Sequence, residues 1–132
     1  MPGEKDLSTL LKTMKPILND GEYVFCTIKD LEQISQSEII SFFKEEEGIT
    51  IILEKQVADK HQLDYSFIAA WITLKVHSAL EAVGLTAAFS AALTKENISC
   101  NVVAGYYHDH IFVDKKDAAK ALSVLKKLSE VQ

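Results

Sequence analysis

Cysteine, proline and glycine are all scarce in this chain, and each scarcity narrows what the protein can be. Two cysteines, Cys26 and Cys100, among 132 residues are too few for a disulfide-stapled scaffold. Both sit in apolar, strand-like stretches, which suits buried thiols in a reducing cytosol. Two prolines and five glycines leave no low-complexity linker to divide the chain. Basic charge is also lacking. The net charge is −5 and the pI about 5.3, so no cationic face invites a phosphate backbone or anionic lipid, and nucleic acid is not an expected partner. The longest apolar run, Phe67–Leu74, is broken by Thr73 and falls far short of the roughly 20 residues a membrane-spanning helix needs. The N-terminus has no basic segment feeding an apolar one, so the expectation is a cytoplasmic protein with no membrane partner. What is present is 48% hydrophobic and 25% charged, enough for a compact body of two packed layers.

Apolar spacing of three and four from Leu7 to Leu18 predicts a first helix, capped by Asp6 or Ser8 and stopped at Asn19-Asp20-Gly21. Tyr23–Lys29 is short, aromatic and β-branched, hence a strand. Ser37–Lys44 reads as a short helix or irregular turn. The acidic turn Glu45–Gly48 then leads into a strand over Ile49–Glu54, followed by a short helix over Lys55–His61. Ser66–His77 reads as a long strand, and Leu85–Lys95 as a helix entered at Gly84 and ended at Asn97. Strands over Ile98–Tyr107 and Ile111–Val113 flank His108-Asp109-His110, and Asp117 caps an amphipathic helix to Leu128. From Ser66 onward the order is βαββα, most simply an antiparallel sheet with helices on one face.

The stretch YYHDHIF at Tyr106–Phe112 admits two readings. As a hairpin, His108-Asp109-His110 is its tight turn. As continuous strand, it sets His108 and His110 on one face, where they could share a zinc with His77 or an acidic residue.

Three stretches together carry a family resemblance: FIAAWITLKVHSALEA, VGLTAAFSAALTKENISCNVVAG at Val83–Gly105, and the HDHIFV hairpin. They resemble the ACT domain, a small ligand-sensing module. With DGEYVFCTIKDLE and FFKEEEGITIILEK included, the chain is similar to small standalone proteins built from two ACT-like lobes. The resemblance implies an α+β, ferredoxin-like fold, with an N-terminal lobe over residues 1–64, carrying an extra helix, and a C-terminal lobe over residues 65–132.

It also implies a site. ACT modules bind small effectors, often amino acids, where the first strand hands over to the first helix, here His77–Thr86. A helix entered through glycine exposes its first N–H groups and positive dipole end to a carboxylate, with Val83, Gly84, Leu85 and Thr86 at that corner. Asn101 and Val102, on the following strand, match positions that offer amide and backbone groups. Glu81, or one of Glu45–Glu47, would answer an α-ammonium, and His77 borders the corner.

The implied protein is a non-catalytic sensor of a small metabolite, acting as a homodimer or docked on a partner enzyme, with no cofactor and no metal. A second reading is a small hydrolase or lyase using His77, His108, Asp109 and His110, with or without zinc. A third is a ligand-free interaction module whose corner is filled by side chains such as Leu85 and Glu81.

Overall fold

The computed structural model of the chain describes residues 6–76 and 82–130. Its first element, α1 (Leu7–Thr13), is capped by Asp6, whose carboxylate accepts a hydrogen bond from the Thr9 amide at 3.0 Å. The helical spacing does not carry through to Leu18. Pro16 has no amide hydrogen and disfavours helical backbone in the residue before it, so the chain turns extended at Met14 and continues as β1 (Lys15–Leu18). β2 (Tyr23–Ile28) follows the Asn19-Asp20-Gly21 break.

Two 3₁₀ turns, Leu31–Gln33 and Gln36–Glu38, come next. Ser37–Lys44 does not become a helix: its second half is β3 (Ser41–Lys44), paired in register with β4 (Ile49–Glu54). That pairing lies outside what the local spacing of Ile39, Ile40, Phe42 and Phe43 can show. Then come α2 (Lys55–Lys60), β5 (Ala69–Lys75), α3 (Leu85–Lys95), β6 (Asn101–Ala104), β7 (Asp109–Asp114) and α4 (Ala118–Glu130). α3 has the limits its sequence indicates. It ends in a Schellman arrangement: Asn97 takes a left-handed φ of 60°, its amide donates to the Thr94 carbonyl at 2.9 Å, and the Ile98 amide donates to the Leu93 carbonyl at 3.0 Å.

The chain packs as two compact units, one of them Gly21–Ala69. Its strands run in the order β3-β4-β2, all antiparallel, with Tyr23 of β2 opposite Ala69. Val24, Cys26, Ile28, Ile34, Ile51, Leu53 and Ala58 form its core. Glu45, Glu46 and Glu47 are exposed in the β3–β4 turn, which the Glu45 amide closes by donating to the Gly48 carbonyl at 3.0 Å.

The other unit comprises the described parts of Met1–Asp20 and Ala70–Gln132. Its strand order is β1-β5-β7-β6, with β1 antiparallel to β5 and β6 antiparallel to β7. The βαββα run of the C-terminal half is one strand short of a ferredoxin-like sheet, and β1 supplies it. Residues 6–20, which the sequence reading groups with the N-terminal lobe, therefore pack in this unit. Ser129 of α4 ties them in by donating to the Lys12 and Met14 carbonyls, each at 3.2 Å.

Alternate residues of the strands face the helices. Ile72, Leu74, Ile111 and Val113 meet Leu10, Phe89, Leu93, Ala121 and Leu125 in a core from which water is excluded. Each large apolar side chain so buried contributes about 1.5–3 kcal/mol.

Candidate functional site

The corner indicated by the sequence lies at the start of α3. His77 and Glu81 lie outside the described residues. Val83, Gly84, Leu85 and Thr86 are contiguous there, and their side chains face in different directions. Leu85 is buried in the core, whereas Val83 is 84% exposed and Thr86 is exposed.

Gly84 is the N-cap of α3, with φ 100° and ψ −18°, a left-handed conformation that side-chain-bearing residues rarely adopt. A glycine cap offers no side-chain acceptor. The first turn of α3 accordingly has no side-chain cap and no acidic residue, while the Gly84 carbonyl already accepts from the Ala88 amide at 2.9 Å. The leading N–H groups and the positive end of an 11-residue helix thus stand without a carboxylate from the helix itself. Leu7 of α1 flanks this cap: a Cβ placed on Gly84 would stand 3.2 Å from Leu7 Cδ2.

Asn101 and Val102 are placed differently. They follow the C-terminal end of α3, and an 11-residue helix spans about 16 Å from the Gly84 end. The Asn101 amide nitrogen donates to the Phe112 carbonyl at 3.1 Å, bridging β6 to β7. Val102 packs against the core of its unit.

The YYHDHIF stretch divides in a way neither reading anticipates. The turn is Gly105–His108, closed by the Gly105 amide donating to the His108 carbonyl at 2.9 Å, while Asp109 and His110 already belong to β7. The turn forms at Gly105 because only a residue without a side chain leaves room there for the His108 carbonyl and the His110 ring. Tyr106 and Tyr107 are its tip, 75% and 72% exposed, with their rings edge to face at 5.0 Å. They do not alternate along a strand. A Cβ on Gly105 would lie 2.8 Å from the His108 carbonyl oxygen and 3.3 Å from His110 Nε2. Gly105→Ala is expected to lower stability by about 1–3 kcal/mol, because the nearer atom is backbone and cannot swing away. Urea denaturation of the variant measures it.

Asp109 and His110 face opposite sides of the sheet. Asp109, on the helix face with Ile111 and Val113, is 9% exposed, and burial raises its pKa against the opposing pull of His110 and His108. His110 is on the other face. Its pKa is lowered by burial first and then by repulsion from His108, while Asp109 acts in the opposite sense. His110 Nδ1 accepts from the Trp71 indole N–H at 3.0 Å and lies 3.2 Å from Thr73 Oγ1. Thr73 Oγ1 in turn accepts from Asn19 Nδ2 at 3.0 Å. This network was missed in the sequence. Its only signal there is a lone tryptophan in a strand, whose N–H needs an acceptor when covered.

No group of three or more His, Cys, Asp and Glu among the described residues is arranged to hold a metal ion. Cys26 and Cys100 are free thiols whose pKa values burial pushes up, so both stay protonated near neutrality and are weak nucleophiles. An open cleft of about 570 Å³ lies in the Gly21–Ala69 unit, lined by Phe25, Cys26, Thr27, Thr50, Asp64, Tyr65 and Ser66.

The sheet order, the helices on one face and the glycine-entered helix define the class: an α+β, ferredoxin-like protein of antiparallel strands. Two family profiles described as ACT domain match residues 2–70 and 66–127, and the chain belongs to the ACT domain family. Neither profile is that of a catalytic family. A crystal structure from Vibrio cholerae, described as a protein of unknown function and possible transport protein, is 48% identical, with a TM-score of 0.86 over 95% of this chain and 97% of that one. A protein from Agrobacterium tumefaciens is 16% identical, with a TM-score of 0.69 over 88% and 89% of the two chains. The ligand-free regulatory subunit of aspartate kinase from Thermus thermophilus is 9% identical, with a TM-score of 0.60 over 88% of this chain and 99% of that one. The last two share the fold. No curated protein matches the chain.

Proposed function

We propose that this protein is a non-catalytic, ACT-type sensor that binds a small metabolite through its carboxylate, most simply an amino acid, at the N-terminus of α3. The observation that carries the reading is the cap itself: Gly84 in left-handed conformation, with no side-chain cap and no acidic residue in the first turn of the helix. A carboxylate there accepts from the amides of Leu85 and Thr86 and meets the positive end of the helix dipole. The side chains of Val83 and Thr86, both exposed, border it.

His77 and Glu81 belong to the same proposed site, Glu81 answering an α-ammonium group. Asn101 and Val102 have structural employment and are secondary to it. The proposal includes a cytoplasmic homodimer, through which differential effector affinity for two arrangements is transmitted to a partner enzyme. The regulatory subunit of aspartate kinase has the same fold, which supports a sensing role.

A thermal-shift screen of the metal-free protein against amino acids, nucleotides and divalent cations tests this. An effector at 100 times its Kd stabilises by about 2.7 kcal/mol, a shift of several degrees for a protein of this size. A rise with an amino acid supports the sensor. A rise with zinc alone supports the hydrolase reading, and no rise with any compound supports an interaction module.

A further inference from the structure

On the face of the β1-β5-β7-β6 sheet turned away from the helices, one imidazole nitrogen serves the chain's single tryptophan. Trp71 Nε1 lies 3.0 Å from His110 Nδ1, with the ring centroids 5.7 Å apart and the planes inclined by 56°. An indole N–H can only donate. His110 Nδ1 must therefore carry a lone pair, which makes the ring neutral with its proton on Nε2. On the other side, Trp71 stacks on Phe112 at 6.0 Å and 22°. Thr73 Oγ1, fixed by the Asn19 amide at 3.0 Å, lies 3.2 Å from the same Nδ1. Adding a proton to Nδ1 sets two donors against each other across the Trp71 contact. Thr73 can reverse its hydroxyl and accept, but Trp71 cannot.

We propose that His110 is a proton-operated latch on Trp71: the neutral imidazole holds the indole N–H, and the imidazolium releases it. The charged groups acting on His110 are His108, in the turn just before β7, and Asp109, on its own strand. β5 presents Trp71 and Thr73, with Lys75 farther along the same face; Asn19 follows directly on β1, whose Lys15 lies opposite Lys75; β6 presents Val103 opposite His110. Burial and His108 both oppose the charged form, so the latch holds at neutrality and opens below the ordinary histidine value of 6.5. The sign follows by linkage. A histidine whose folded pKa is depressed contributes stability that is complete above 6.5 and is lost as pH falls from there toward the folded pKa.

Because Trp71 is the only tryptophan, the tryptophan fluorescence and the indole N–H resonance report on its surroundings and on no other indole. Titrating the wild-type protein from pH 8 to 4 is expected to give a reversible single-proton transition with its midpoint below 6.5, in which the emission red-shifts, the indole proton moves upfield and far-ultraviolet circular dichroism stays constant. His110→Gln keeps an acceptor for Trp71 and removes the titration, so the transition should vanish. His108→Gln should keep it and raise its midpoint. Quenched emission with an unmoved indole resonance would overturn the latch, as would a transition that coincides with loss of secondary structure. Should His110→Gln fail to fold, the wild-type histidine spectrum decides: the Nε2–H tautomer at neutral pH supports the proposal and the Nδ1–H tautomer refutes it.

Discussion

Phe89→Ala should lower the unfolding free energy by about 3–5 kcal/mol, the largest effect expected of a single side-chain truncation here. Phe89 is on α3 and wholly excluded from water, in the core that includes Leu10, Ile72, Leu93, Ile111 and Leu125. Truncation removes a ring whose neighbours come from α1, α3, α4 and two strands, so no one element can close the void by moving alone. Equilibrium urea denaturation followed by circular dichroism measures the loss. A fall of under 1 kcal/mol would mean that the core around α3 collapses freely, and that α3 is not held rigidly enough to present a fixed cap.

The second large effect is at Gly84. Valine there faces two penalties: a left-handed backbone that costs a side-chain-bearing residue about 1–3 kcal/mol, and a Cβ 3.2 Å from Leu7 Cδ2. β-branching makes the backbone penalty larger. The expected outcome is a loss of about 2–4 kcal/mol in stability together with at least a tenfold loss of effector affinity, which corresponds to about 1.4 kcal/mol. Gly84→Asn separates the two effects, because asparagine tolerates the left-handed region. Asparagine should recover much of the stability while still crowding the cap. Equal affinity in the wild-type, Asn and Val proteins would place the effector elsewhere.

How much of this was legible in the sequence depends on the range of the interaction involved. α3 was readable at both ends because its signals are local: glycine at the entrance, asparagine at the exit, and Phe89 and Leu93 on one stripe. β4 was readable as a β-branched run over Ile49–Glu54. Long-range decisions were not. β3 exists because it pairs with β4, and β1 takes its place beside β5, a partner over fifty residues away. Pro16 is a local signal that competes with the apolar spacing through Leu18, and a proline two residues past Met14 is enough to end a helix.

The candidate site was legible to the same degree. Gly84 announced a helix entrance, and the structure gives it a left-handed cap without a side-chain acceptor. Asn101 looked like a ligand amide, but its cross-strand bond to the Phe112 carbonyl depends on the β6–β7 register, which no local pattern states. The His110 network needed β5, β7 and the residue following β1 to be brought side by side before its members could meet.

The most direct test of the sensor is amide chemical-shift mapping on ¹⁵N-labelled protein, titrated with the amino acid that gives the largest thermal shift. With the effector at the α3 entrance, the largest saturable changes fall on the amides of Gly84, Leu85 and Thr86, with the downfield movement expected of donors that gain a carboxylate. Changes centred instead on Phe25–Thr27 and Asp64–Ser66, with the α3 entrance unmoved, would contradict it and assign the effector to the cleft of the Gly21–Ala69 unit.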